Sequence, residues 1–225
     1  GMSMDGFTCR DLVLATGGTL LMGKEDTPIR HISLDSRKME GEDLFVPIIG
    51  ENVDAHGFLC QAIGNGAAAV FTRRHRRPEE VRADILKQCG EDVSRMEAAM
   101  SAAWIGVEDT RQALQDFGIY CRGRQKLPLV GITGSVGKTT TREMVAAALS
   151  AGFTVYKTPG NSNSQVGVPI TIAAIPKQAQ IGVIELGMSE PGEMTKIARI
   201  ARVDCAVMTN IGVTHIEQLG SVDNI

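Results

Sequence analysis

The chain has 225 residues, of which 43% are hydrophobic and 22% charged, the composition of an ordinary globular protein with room for one large or two small domains. A formal net charge of −3 argues against a nucleic-acid binder held by bulk electrostatics. No run approaches the length of a membrane span and no basic-then-apolar signal segment opens the chain, so the expected compartment is the cytoplasm.

Gly1 ahead of Met2 reads as a tag-cleavage remnant and carries no argument. The five cysteines (Cys9, Cys60, Cys89, Cys121 and Cys205) are odd in number, widely spaced and without a C-x-x-C pair. They read as reduced structural thiols.

In chain order, 29–34 and 44–49 have strand composition, with an Asp35-Ser36-Arg37 turn and Gly41 between them. Residues 55–63 form a helix candidate ending at Gly64 or Gly66, and 67–71 a short apolar strand. The charged stretch 73–100 reads as helical. Its basic start, Arg73-Arg-His-Arg-Arg77, reads as a solvated helix start balanced by Glu79, Glu80 and Asp84 rather than a phosphate contact, because the chain is acidic and no aromatics interleave. Residues 104–107 follow as a strand, and Asp109 caps a helix to about Arg122. From Leu127 the pattern alternates: strand 127–132, helix 139–150, strand 153–156, polar loop 158–165, helix 168–174, strand 181–186, helix 192–201 after Pro191, strand 205–211. Such alternation predicts βαβ units and a parallel sheet with ligands at the carboxyl ends of its strands. The expected fold class is therefore α/β, with a small mixed domain over 1–126 and a P-loop, parallel-sheet domain over 127–225.

The segment from Gly131 to Thr141 carries the most chemistry. A buried strand runs into Gly131-Ile-Thr-Gly134-Ser135-Val136-Gly137-Lys138-Thr139-Thr140 and then into a helix. Amides at a helix N-terminus point at an anion, and the helix dipole favours negative charge there. Gly134, Ser135, Val136, Gly137, Lys138, Thr139 and Thr140 are the expected phosphate-cradling residues. Lys138 reaches the β/γ-phosphates and the Thr139 hydroxyl holds Mg2+. The common Walker pattern would place its first glycine at position 132, which here is Ile132. Glycines stand instead at 131, 134 and 137, which marks a subclass of P-loop. Glu185 ends an apolar strand, where P-loop proteins put a metal-organising carboxylate; alone it reads equally as a solvated strand end. His215, alone in a loop, reads by itself as exposed or structural.

Taken together, Thr133-Gly-Ser-Val-Gly-Lys-Thr139, Gly160-Asn-Ser-Asn163 with Gly167-Val-Pro-Ile-Thr171, Glu185-Leu-Gly-Met-Ser-Glu-Pro-Gly-Glu193 and Thr209-Asn-Ile-Gly-Val-Thr-His215 resemble the ordered motifs of the Mur ligases. These are ATP-dependent amide ligases of cell-wall precursor assembly. Leu34-Asp-Ser-Arg37, Gly41-Glu-Asp-Leu-Phe-Val46 and Gly66-Ala-Ala-Ala-Val70 are similar to that family's uridine-nucleotide-binding domain.

The resemblance implies an enzyme that joins D-alanyl-D-alanine to UDP-N-acetylmuramoyl-tripeptide through an acyl phosphate, with ATP and Mg2+ as cofactors. Lys138, Glu185 and His215 are the implied catalytic residues, and Thr139, Glu185 and His215 the implied metal ligands. Ser36, Arg37 and Asn161 are the implied substrate contacts, although 35–37 reads equally as a tight polar turn. Family members are longer; they carry a carbamylated lysine, an adenine-contacting segment and a third domain beyond the point where this chain stops. The chain is therefore expected to be a fragment with a truncated second domain that does not ligate alone. The alternatives are a Mur-type ligase adding the third amino acid, a folylpolyglutamate-type enzyme, and, from other classes, a P-loop nucleotide switch or a non-catalytic uridine-nucleotide binder. No N-K-x-D guanine motif is present to favour the switch.

Overall fold

The structure is a computed structural model and describes residues 4–158, 164–187 and 191–209. The chain divides into two compact units, Gly1–Leu114 and Gln115–Ile225. Among the described residues, no helix is long and apolar enough to cross a membrane.

The first unit opens with β1 (Phe7–Thr8), α1 (Cys9–Thr16), β2 (Thr19–Met22), β3 (Pro28–Ile29) and β4 (His31–Ser33). It continues with β5 (Asp43–Phe45), a 3-10 turn at Ala55–Phe58, α2 (Leu59–Gly64), β6 (Ala67–Thr72), α3 (Pro78–Cys89), α4 (Val93–Ser101) and β7 (Ala103–Gly106). Its sheet has five strands in the order β2-β7-β6-β5-β4. All neighbours are parallel except β2, which runs antiparallel on the edge. Phe45, Val70 and Trp104 from the sheet meet Leu59, Ile63, Val81, Ile85 and Ala99 from the helices in one buried cluster. The Trp104 indole is satisfied there, donating to the Ala99 carbonyl at 2.8 Å.

Several boundaries differ from the sequence expectation for local reasons. The strand expected at 44–49 stops at Phe45, because Pro47 has no N–H to offer a ladder; Ile49 only bridges Asp54. The helical stretch 73–100 is two helices. Gly90, at φ 55°, closes α3, and the Asp92 side chain accepts from the Arg95 N–H to start α4. The helix α1 and the strand β2 had no counterpart in the sequence reading. The α1 start is nevertheless signalled locally: the Thr8 N–H donates to Asp11 at 2.9 Å in a capping box.

The boundary between the units falls inside α5 (Thr110–Gly123), earlier than the 126/127 division read from the sequence. The second unit then runs β8 (Leu129–Thr133), α6 (Lys138–Leu149), β9 (Val155–Lys157), α7 (Gly167–Ala173), β10 (Ile181–Glu185), α8 (Pro191–Ala201) and β11 (Cys205–Met208). The expected alternation is present. Among the described residues, its strands lie in the order β11-β8-β10-β9, all parallel. From β8 the chain passes through α6 to β9, returns through α7 to β10, then crosses through α8 to β11 on the opposite side of β8. The carboxyl end of β8 is therefore the point where successive connections diverge, which is where open parallel sheets bind ligands. Ile132, Ala146 and Val183 form the core between α6 and this sheet.

Candidate nucleotide site

Gly131, Gly134 and Gly137 serve different physical ends. A Cβ on Gly131 would stand 2.9 Å from Leu186 Cδ1 and 3.0 Å from Val203 Cγ1, so this glycine lets the strand pack. Gly134 and Gly137 take φ of 126° and 82°, backbone that an L side chain resists, and these two shape the turn. Gly137 is the N-cap of α6 and offers no side chain over the helix start. The first-turn amides of α6 thus remain available to an anion. From the β11 side, the Thr209 N–H donates to the Thr133 carbonyl at 3.0 Å and the Thr209 hydroxyl to the Val136 carbonyl at 2.6 Å. These bonds tie the loop to the residue that follows β11. Ser135, Val136, Thr139 and Thr140 are exposed, and Lys138 is half-buried.

Glu185, at the end of β10, is brought to this loop. Its carboxylate lies 3.3 and 3.4 Å from the Thr139 hydroxyl, and its N–H donates to Thr158 Oγ1 at 2.9 Å. It is not a solvated strand end: its side chain is only 3% exposed. The sequence reading missed its principal partner. Arg142 Nη1 donates to Glu185 Oε2 at 2.8 Å, while Nη2 of the same guanidinium donates to Glu143 Oε1 at 2.8 Å. Lys157 Nζ closes the chain of charges on Glu143 Oε2 at 2.6 Å. The Glu143 carboxyl is held below its ordinary range, first by the Lys157 hydrogen bond and then by Arg142. A sequence signal for Arg142 existed: it sits three and four residues after Thr139 and Lys138, on the same helix face.

Thr139 and Glu185 present adjacent hard oxygens of the kind Mg2+ takes. Among the described residues there is no group of three or more His, Cys, Asp or Glu side chains placed to hold a metal. A hydroxyl and one carboxylate fit Mg2+ when phosphate and water oxygens complete its shell, the usual arrangement at nucleotide sites. Asn161 and His215, expected to contribute here, lie outside the described residues.

Ser36 and Arg37 belong to the first unit. Arg37 forms a two-pronged pair with Asp35, Nε to Oδ1 at 3.0 Å and Nη2 to Oδ2 at 2.9 Å, while the Arg37 N–H closes the turn on Asp35 Oδ1. That hydrogen-bonded guanidinium lowers the Asp35 carboxyl to about 2. Ser36 is nearly buried; its hydroxyl reaches Gln61 Oε1 at 3.3 Å and its carbonyl accepts from Asn65 Nδ2 at 2.9 Å. The 35–37 turn is thus a pinned feature that presents an exposed guanidinium. The basic run 73–77 precedes α3 rather than starting it, and only two of its partners, Asp84 and Glu80, are among the expected balancing acids. Arg74 pairs with Asp54, His75 with Asp84, Arg76 with Glu108 and Arg77 with Glu80. None of the five cysteines forms a disulfide. Four are buried, and burial pushes the Cys9 and Cys60 thiols up to about 12.

A glycine loop between a central parallel strand and a helix, with a strand-end carboxylate beside the helix-start threonine, defines an α/β protein with a P-loop nucleotide-binding domain. The chain belongs to the Mur ligase family: the Mur ligase middle domain matches residues 132–225 and the catalytic domain of the family matches 28–119. The UDP-N-acetylmuramoyl-tripeptide–D-alanyl-D-alanine ligase of Bacillus subtilis is 37% identical over 220 residues, covering 97% of this chain and 44% of that protein. The ligase of the same name from Treponema pallidum is 39% identical over 191 residues, 84% of this chain and 39% of that protein. Among solved structures, MurF from Acinetobacter baumannii superposes with a TM-score of 0.76 at 31% identity, over 98% of this chain and 44% of that one. MurF ligase from Thermotoga maritima in complex with ADP gives 0.63 at 30% identity, over 86% of this chain and 40% of that one. The chain spans less than half the length of these relatives.

Proposed function

We propose that this chain is the substrate-binding and nucleotide-binding part of an ATP-dependent carboxylate–amine ligase. The reaction joins D-alanyl-D-alanine to UDP-N-acetylmuramoyl-tripeptide in peptidoglycan precursor synthesis, and its setting is the cytoplasm. The observation that carries the proposal is similarity running through both units to ligases of that name, 37% identity over 97% of the chain. When bound, Mg·ATP would supply the phosphoryl group that activates the tripeptide's terminal carboxylate toward the incoming amine.

The chain's own residues have distinct tasks in this reading. Lys138 and the amides of 134–140 neutralise and orient the phosphates; phosphoryl transfer depends mainly on such positioning. Thr139 and Glu185 would hold the metal, and His215 is assigned to a second one. The exposed guanidinium of Arg37, with Ser36, contacts the uridine nucleotide, and Asn161 is assigned to substrate contact from its motif alone.

The test is calorimetric titration of the chain with UDP-N-acetylmuramoyl-tripeptide, with UDP-glucose as control and Mg·ADP in a separate run. Saturable binding of the muropeptide well above the control, together with binding of Mg·ADP, is the expected result. Binding of Mg·ADP without discrimination between the uridine ligands would overturn the substrate assignment.

A further inference from the structure

The pair between Arg142 and Glu185 has a consequence for metal capture. Both side chains are buried, at 8% and 3% exposure. A buried carboxylate left without a counter-charge is strongly disfavoured, so some cation must accompany Glu185 whenever it is ionised. In this structure that cation is the Arg142 guanidinium. It is fixed from its other side by Glu143, which is itself held by Lys157 at the end of β9. The buried Arg142 Nε has no hydrogen-bond acceptor among the described residues, so the guanidinium is held by its two terminal nitrogens alone. The same carboxylate edge faces the Thr139 hydroxyl, the position a metal would share.

We propose that Arg142 is a positioning residue that serves as the resident counter-cation of Glu185 and makes divalent-metal capture conditional on nucleotide. This rests on the reading of Thr139 and Glu185 as the metal side of a nucleotide site. Among the described residues, a metal arriving alone meets one carboxylate already paired with a guanidinium, and Lys138 stands on the same helix start. It gains few oxygens there and meets a positive charge. Nucleotide phosphates reverse the balance by adding both oxygens and negative charge. Arg142 also holds the carboxylate beside Thr139 until then.

The experiment is titration of the nucleotide-free chain with Mn2+, followed by the paramagnetic signal of the free ion, for wild type, Arg142→Gln and Arg142→Lys, and repeated with ADP. Arg142→Gln is expected to bind Mn2+ without nucleotide about tenfold or more tighter than wild type, the scale of removing one near charge. Arg142→Lys, which keeps a cation, is expected to follow wild type. Equal or weaker nucleotide-free binding by a folded Arg142→Gln overturns the proposal. Should Arg142→Gln fail to fold, its melting transition is measured with and without Mn2+. Restoration of the native transition by the metal supports the proposal, and no restoration overturns it. Failure of the wild type to bind Mg·ADP would count against the nucleotide reading itself, and the nucleotide-free comparison still decides the role of Arg142.

Discussion

His56 is fully buried, and both of its ring nitrogens are engaged. Nε2 accepts the Arg73 N–H at 3.0 Å, so the ring is neutral and Nδ1–H donates to Asp54 Oδ1 at 2.7 Å. Burial lowers its pKa below the ordinary 6.5, against the pull of Asp54. The sign follows: a depressed folded pKa contributes stability that is present above 6.5 and lost as pH falls through the folded value. The melting temperature is expected to drop between about pH 7.5 and about pH 5.5, and His56→Gln to flatten part of that slope. An unchanged slope in the variant would show that the ring is not the group responsible. At the same scale, Lys138→Ala is expected to weaken Mg·ADP binding by about tenfold or more, read by calorimetry, because a point charge at the phosphates is removed from a preformed site. The placement of Thr139 and Glu185 at one loop was legible because a glycine turn between strand and helix is encoded in consecutive residues and Glu185 ends an apolar strand. The spacing of Arg142 after Lys138 and Thr139 gave its helix face but not its partner, which is known only once β10 is placed beside it.

The glycines of the β8–α6 element can be separated by experiment. Gly131→Ala places a methyl against the branched Val203 side chain and Leu186, and is expected to cost about 1–3 kcal/mol in urea unfolding while leaving the ADP affinity of the folded fraction intact. Gly137→Ala meets nothing closer than 4.0 Å but forces a side chain onto a φ of 82°, at the turn that aims the α6 amides. Its expected signature is a loss of ADP affinity out of proportion to a stability change of about 1 kcal/mol. Equal behaviour of the two variants would mean that the loop glycines share one role. Element legibility follows the same logic. The βα alternation after Leu127 was clear because buried parallel strands are apolar runs, the glycine turn leads into α6, and α8 starts at Pro191 with Glu193 in its first turn. The first unit was harder. Strands of two or three residues, such as β3 and β5, carry too little periodicity to define their ends. The break between α3 and α4 depended on the left-handed backbone at Gly90.

On the scale of the molecule, the residues assigned to the uridine ligand and to the nucleotide fall in different compact units. Arg37→Ala is accordingly expected to weaken muropeptide binding and leave Mg·ADP binding unchanged, with Lys138→Ala giving the converse, both read by calorimetry. Loss of both ligands in either variant would contradict the assignment of separate sites.

The sequence by itself determined the glycine loop after β8, the helix that starts from it, the parallel character of the second unit and the family. Each of these depends on local glycine geometry, on apolar periodicity or on motifs kept in order along the chain. Only the tertiary structure decided the strand order β11-β8-β10-β9. That order sets Glu185 beside Arg142, 43 residues away, in a buried pair. The physical reason is that strand order is set by how helices cross over a sheet, and a counter-charge is chosen by what the crossover brings within reach of a carboxylate that water has left.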